Sequence, residues 1–167
     1  MSFLLDTNAV SEIRRGRDPH VRAWATEVAD VNLHLSVLTL GEICKGIERL
    51  RDRDPAQAEV FVSWLAELRN RFAERIVPVD ARIAEECGRL NAAATRNTVD
   101  SLIAATARVH GLTVVTRNTS DFEGCDVPLL NPWHHQPEAK PLPSSGRRSE
   151  AILIGCAAAR IGVGWRH

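Results

Sequence analysis

The sequence predicts an α/β protein, a three-layer α/β/α domain around a central parallel sheet of about five strands. Three observations predict it. Apolar runs of strand length alternate with longer segments of helical periodicity. The first run, "FLL", is wholly apolar and stops abruptly at a carboxylate. Asp-Pro pairs at 18–19 and 54–55 open helices, and Gly111 closes one.

Taken in order, residues 3–6 read as a strand and 9–15 as a short helix. Asp18 then supplies an N-cap and Pro19 a first helical residue. Val21, Trp24, Ala25 and Val28 recur behind them at helical spacing. Residues 32–37 read as a second strand. The helix expected over 39–50 carries Leu40, Ile43, Ile47 and Leu50 on one face. Asp54-Pro55 opens a longer helix with Val60, Phe61, Trp64, Leu65 and Leu68. Residues 75–79 are a third strand. Pro78 lacks an N–H for the ladder and so places that strand at a sheet edge. Asp80 caps a helix through Ile83, Cys87 and Leu90. Residues 98–111 form another, with Thr98 as its expected N-cap. Residues 112–116 and 127–130 complete the strands. Helices between strands imply parallel pairing through right-handed crossovers.

The domain is expected to occupy residues 1–133. Residues 134–167 begin "HHQPEAKPLPSSGRRSE" and read as a tail, largely disordered or loosely packed. Charge divides at the same point. Residues 1–133 hold 16 Lys and Arg against 19 Asp and Glu, a net of −3; residues 134–167 hold 5 against 2, a net of +3. A neutral to acidic domain lacks the electrostatic footprint of a tight nucleic-acid binder. Acting on nucleic acid, it needs a metal ion or a partner to offset its charge. The four cysteines show no CxxC pairing, which excludes a zinc-ribbon spacing and a compact disulfide framework. Reduced thiols, no signal peptide and no membrane span together point to the cytoplasm.

Four acidic residues are the candidate site. In open parallel sheets, ligands bind beyond the carboxyl ends of the strands. Asp6 ends the first strand, and Asp121 lies five residues after Thr116, just past the fourth. Glu42 and Asp100 fall in the expected first turns of helices facing that same end. Each has an ordinary structural alternative. Asp6 can cap the following helix. Thr39-x-x-Glu42 matches a capping box. Asp100 complements a helix dipole, and Asp121 suits a solvated loop. Together they imply one crevice in which like charges require a cation. Oxygen-only ligands favour a hard ion, Mg²⁺ or Mn²⁺. Thr7, Asn8, Thr116 and Asn118 are placed to orient the carboxylates by hydrogen bonds, or to serve as ordinary turn and cap residues. The six histidines have no credible catalytic partner in sequence.

These stretches, "LLDTNAVSE", "LSVLTLGEICKGIERL" and "VDSLIAATARVHGLTVVTRNTSDF", followed by "PLLNPW", resemble the PIN-domain ribonucleases, specifically toxins of the VapC/FitB type. The resemblance implies a PIN-like fold with Asp6, Glu42, Asp100 and Asp121 as the acidic set. It implies a Mg²⁺- or Mn²⁺-dependent endoribonuclease that hydrolyses RNA phosphodiesters through a metal-activated water. It further implies a homodimer and a cognate, VapB-like antitoxin. Arg117 is the expected phosphate contact, with a surface salt bridge as its alternative. The segment before Asp100, "NAAATRNT", lacks the proline often found there in the family. A haloacid-dehalogenase-like phosphatase also begins with a strand ending in Asp, but needs a second Asp where this chain has Asn8. The remaining alternative is a non-catalytic binding module whose acidic pocket receives a basic partner.

Overall fold

The computed structural model describes residues 1–93 and 97–136. Five parallel strands are joined by six helices: β1 (Phe3–Leu5), α1 (Thr7–Arg15), α2 (Pro19–Glu27), β2 (Leu33–Ser36), α3 (Val37–Arg51), α4 (Pro55–Arg71), β3 (Ile76–Val77), α5 (Ala81–Ala93), α6 (Thr98–His110), β4 (Thr113–Val115) and β5 (Leu129–Leu130). Short 3-10 turns separate several of them, including Thr119–Phe122 and Pro132–His134.

The strand order is β3-β2-β1-β4-β5. The chain builds outward from β1 through β2 to β3, then returns to the other side of β1 for β4 and β5. The order therefore reverses between β1 and β4, and a crevice opens there beyond the strand ends. Register sets Leu5 beside Leu35 on one side and beside Val115 on the other. β3 and β5 are the two edge strands, each two residues long, and Pro78 directly follows β3, where its missing N–H breaks no ladder bond.

Alternation along β1 divides the core into two layers. Phe3 and Leu5 point into one, with Val10 of α1, Trp24 of α2, Ile43 and Ile47 of α3 and Phe61 of α4. Leu4 points into the other, with Ile83 of α5 and Ile103 and Ala104 of α6. Phe3 meets Trp24 edge to face, with centroids 5.5 Å apart, a favoured aromatic geometry. Residues 103–107 of α6 are all buried, and Ala104, Ala105 and Ala107 let that helix lie close against the sheet.

Every strand is shorter than the stretch expected of it, and three helix N-termini differ from expectation. α3 begins at Val37 with Ser36 as N-cap, its hydroxyl accepting from Leu38 N at 3.2 Å. Thr39 is thus inside the helix, the capping box does not form, and Glu42 falls in the second turn instead of the first. Thr39 is fully buried and donates instead to Leu5 O at 3.2 Å, tying α3 to the end of β1. α6 is capped by Asn97, not Thr98, through a 2.9 Å bond from Val99 N. α1 begins two residues early, at Thr7, because Asp6 itself is the cap.

The 134–167 tail lies outside the described residues from 137 on, as do residues 94–96 before Asp100. His134 and His135 are described and close onto α2. His20 Nδ1 donates to His135 O at 2.6 Å, and His135 Nε2 bonds Glu27 at 2.9 Å. Among the described residues, Cys44, Cys87 and Cys125 are free thiols. No described helix is long and apolar enough to cross a membrane.

Candidate active site

Asp6 stands where β1 gives way to α1. Its N–H donates to Val115 O at 3.0 Å, which continues the β1–β4 ladder one residue past the strand. Its side chain is buried, only 9% exposed. Three donors hold the carboxylate: Thr7 N at 2.6 Å, Thr116 Oγ1 at 2.8 Å and Asn8 Nδ2 at 3.3 Å. Asp6 therefore caps α1, and it does so at the point where the sheet reverses order.

Thr116 follows β4 and is fully buried. Its hydroxyl donates to Asp6 and accepts from Asn118 N at 3.1 Å, which fixes the turn leading to Asp121. Thr7 reaches the other way. Its hydroxyl donates to Glu42 Oε2 at 2.5 Å, bridging α1 to α3. Asp100 sits half-buried in the first turn of α6, and Asp121 is exposed in the Thr119–Phe122 turn.

The electrostatics place the four carboxylates in one field. Desolvation raises the Asp100 carboxyl to about 6, and the charges of Asp121, Asp6 and Glu42 push in the same direction. Burial likewise raises Asp6. The Thr116 and Thr7 hydrogen bonds pull it back down, and Glu42 and Asp121 add repulsion. Among the described residues, no three His, Cys, Asp or Glu side chains converge closely enough to hold a metal ion between them. Mutual repulsion opposes closer approach, and hydroxyl donors already engage Asp6 and Glu42.

Arg117 is exposed, with its guanidinium 5.8 Å from the centre of the Trp133 ring. Among the described residues it makes no salt bridge. One feature escaped the sequence reading altogether. Beside Glu42 a groove opens between α1 and α4, where Arg14 lies over Phe61 and Trp64. The signal for it is the polar spacing of Thr7, Ser11 and Arg14 along α1, a stripe on one helix face.

A parallel sheet whose strand order reverses beside a buried, hydrogen-bonded carboxylate defines an α/β domain with its candidate site at that switch point. The PIN domain family matches residues 3–125, and the chain belongs to that family. It is 34% identical over 141 residues to Toxin FitB of Neisseria gonorrhoeae, covering 79% of this chain and 99% of that protein. It is 33% identical over 140 residues to VapC ribonuclease Y4jK of Sinorhizobium fredii, covering 78% and 97% respectively. The crystal structure of FitAcB from Neisseria gonorrhoeae superposes with a TM-score of 0.73 at 33% identity, over 79% of this chain and 99% of that one.

Proposed function

We propose that the chain is a metal-dependent endoribonuclease, the toxin of a toxin–antitoxin pair, acting on RNA phosphodiesters. The observation that carries this reading is Asp6, a buried carboxylate fixed by Thr116 and Thr7 at the sheet's switch point and coupled to three further acids. Relatives named as a toxin and as a ribonuclease support it.

The donor set is all oxygen and acidic, which fits Mg²⁺ or Mn²⁺ and not a thiolate- or imidazole-seeking metal. Asp6, Asp100 and Asp121 would hold the ion, with Glu42 at the margin. Such an ion would offset the negative charge of the phosphate and would supply a water acidic enough to act as nucleophile. The chain's own part is orientation. Thr116 and Asn8 hold Oδ2 of Asp6 while Thr7 N holds Oδ1, the Thr7 hydroxyl fixes Glu42, and Asn118 fixes the turn that carries Asp121. Arg117 is a phosphate contact at the rim. Homodimerisation and inhibition by a basic segment of an antitoxin belong to the same reading.

Incubating the purified chain with RNA and Mg²⁺ or Mn²⁺, beside an Asp6→Asn variant, tests this. Cleavage that needs the ion and disappears in the variant supports the enzyme. A second reading is a binding module whose acidic pocket receives a basic partner, and the mutual repulsion of the four carboxylates suits such a partner as well. RNA left intact by both proteins in either metal would decide for that module.

A further inference from the structure

The groove beside Glu42 has a charge pattern that the acidic crevice does not explain. On α1, Thr7, Ser11 and Arg14 share one face, with Arg15 next to it. Seven residues separate Thr7 from Arg14, about 10.5 Å along the helix axis. The stripe begins at the hydroxyl that holds Glu42 and ends in two guanidinium groups.

Arg14 lies 4.0 Å from the centre of the Phe61 ring and 4.9 Å from that of Trp64. These rings of α4 meet edge to face, 6.2 Å apart. Stacking of this kind aims a guanidinium while leaving its N–H donors to a further ligand. Among the described residues, neither Arg14 nor Arg15 has a salt-bridge partner. Partial burial and the neighbouring Arg15 both press the Arg14 pKa downward. The C-terminal end of the α1 dipole favours a cation there. It accounts for basic residues in the last turn, but not for one turned into a groove against two rings.

We propose that this groove holds the RNA strand flanking the scissile phosphate: Arg14 and Arg15 receive a backbone phosphate, and half-exposed Trp64 lies against the adjoining base. The proposal rests on the ribonuclease reading above and adds where the substrate lies. A nucleic-acid strand matches the pattern because it carries anionic groups at repeated intervals on a flexible backbone. One phosphate can meet the arginines while another reaches the crevice two helical turns away. An acidic protein segment would satisfy the arginines alone. Aromatic and guanidinium surfaces together are what single strands use for sequence-tolerant binding.

The test uses the full chain, a fluorescein-labelled single-stranded RNA of mixed sequence, and four variants: Arg14→Gln, Arg15→Gln, Arg14→Lys and Trp64→Leu. Binding is measured by anisotropy over a salt series, in the Asp6→Asn background so that RNA stays intact. Cleavage is measured separately in chains that keep Asp6. Arg14→Gln and Arg15→Gln are each expected to weaken binding about tenfold and to flatten the slope of log affinity against log salt by about 0.7. Trp64→Leu is expected to weaken binding without changing that slope, and Arg14→Lys to keep the slope. In cleavage, KM rises more than kcat falls. Among the described residues the Arg15 side chain makes no hydrogen bond, ion pair or ring contact, so Arg15→Gln keeps the test valid if Arg14→Gln does not fold. Unchanged affinity and slope in folded Arg15→Gln and Arg14→Gln overturn the inference, even when Asp6→Asn still abolishes cleavage. Arginine variants that keep RNA affinity but lose a co-purifying acidic protein overturn it too. RNA binding that depends on both arginines, in a chain that cuts no RNA, sinks the ribonuclease reading and upholds the groove.

Discussion

Thr116 Oγ1 donates a 2.8 Å hydrogen bond to Asp6 Oδ2 and joins two residues 110 positions apart across the sheet's switch point. The bond crosses from the end of β4 to the end of β1, and it opposes the desolvation that raises the Asp6 carboxyl. Thr116→Val keeps the shape of the side chain and deletes the donor. The acid limb of the pH–rate profile for RNA cleavage is expected to move to higher pH. Activity at neutral pH should fall about tenfold, the scale of one lost charge-assisted bond. Thr116→Ser should restore both. A profile identical to wild type in Thr116→Val would remove Thr116 from the mechanism.

Thr7 and Glu42 form a second unit, linked at 2.5 Å. Glu42 is exposed, so releasing it costs the fold little, within about 0.5 kcal/mol for a surface change of this kind. Thr7→Val and Glu42→Gln should each lower cleavage, and the double variant should lose no more than the worse single. That non-additivity identifies groups acting through one contact. Additive losses would show that the two act independently.

Thr39 does structural work in the same region. Its buried hydroxyl satisfies Leu5 O, the last carbonyl of β1. Thr39→Val leaves that carbonyl without this donor and should cost about 1–2 kcal/mol. Urea unfolding is expected to show a lower midpoint at unchanged slope. An unshifted midpoint would contradict the anchoring role.

The raised carboxyl of Asp100 links stability to pH with a definite sign. Burial first, then repulsion from Asp121, Asp6 and Glu42, lifts it from 3.8 to about 6. Over that interval the folded chain holds a proton that the unfolded chain has released. The contribution of Asp100 to stability is therefore most favourable below about pH 4, declines as pH rises toward about 6 and stays unfavourable above it. Asp6 is raised as well and adds to the same trend. Thermal melts from pH 4 to 7 should show a smaller decline in Asp100→Asn. Mg²⁺ or Mn²⁺ at pH 7 should raise the melting temperature of wild type more than that of the variant. Equal metal effects on both proteins would take Asp100 out of the ion's surroundings.

Much of this was legible in the residues. The wholly apolar "FLL" announced a central strand, and Pro78 announced the edge. Asp-Pro pairs marked where α2 and α4 begin, because Pro fixes φ and needs no N–H partner at a helix start. Asp6 could be singled out because a charge directly after a buried strand must find donors. The errors came where two local solutions competed. Thr39 and Glu42 spell a capping box, but Ser36 caps the helix three residues earlier, and the tertiary contacts to Leu5 O and Thr7 claim both side chains. Asn97 outcompetes Thr98 for the same reason of position. The cationic groove was not legible as a site. Phe61 and Trp64 fit a helical apolar face, and only the docking of α4 beside α1, far apart in sequence, brings Arg14 over them.

The strand order has a consequence for the chain during synthesis. β1 is made first, yet one of its two neighbours, β4, follows only after β2, β3 and six helices. Until residues 113–121 emerge, Asp6 lacks Thr116, Asp121 does not exist, and the central strand has one open edge. Pairing between such distant segments is slow to form. A nascent chain that stops short of residue 113 thus lacks both β4 and Asp121, and the surroundings of Asp6 are completed only when that distant segment joins the sheet.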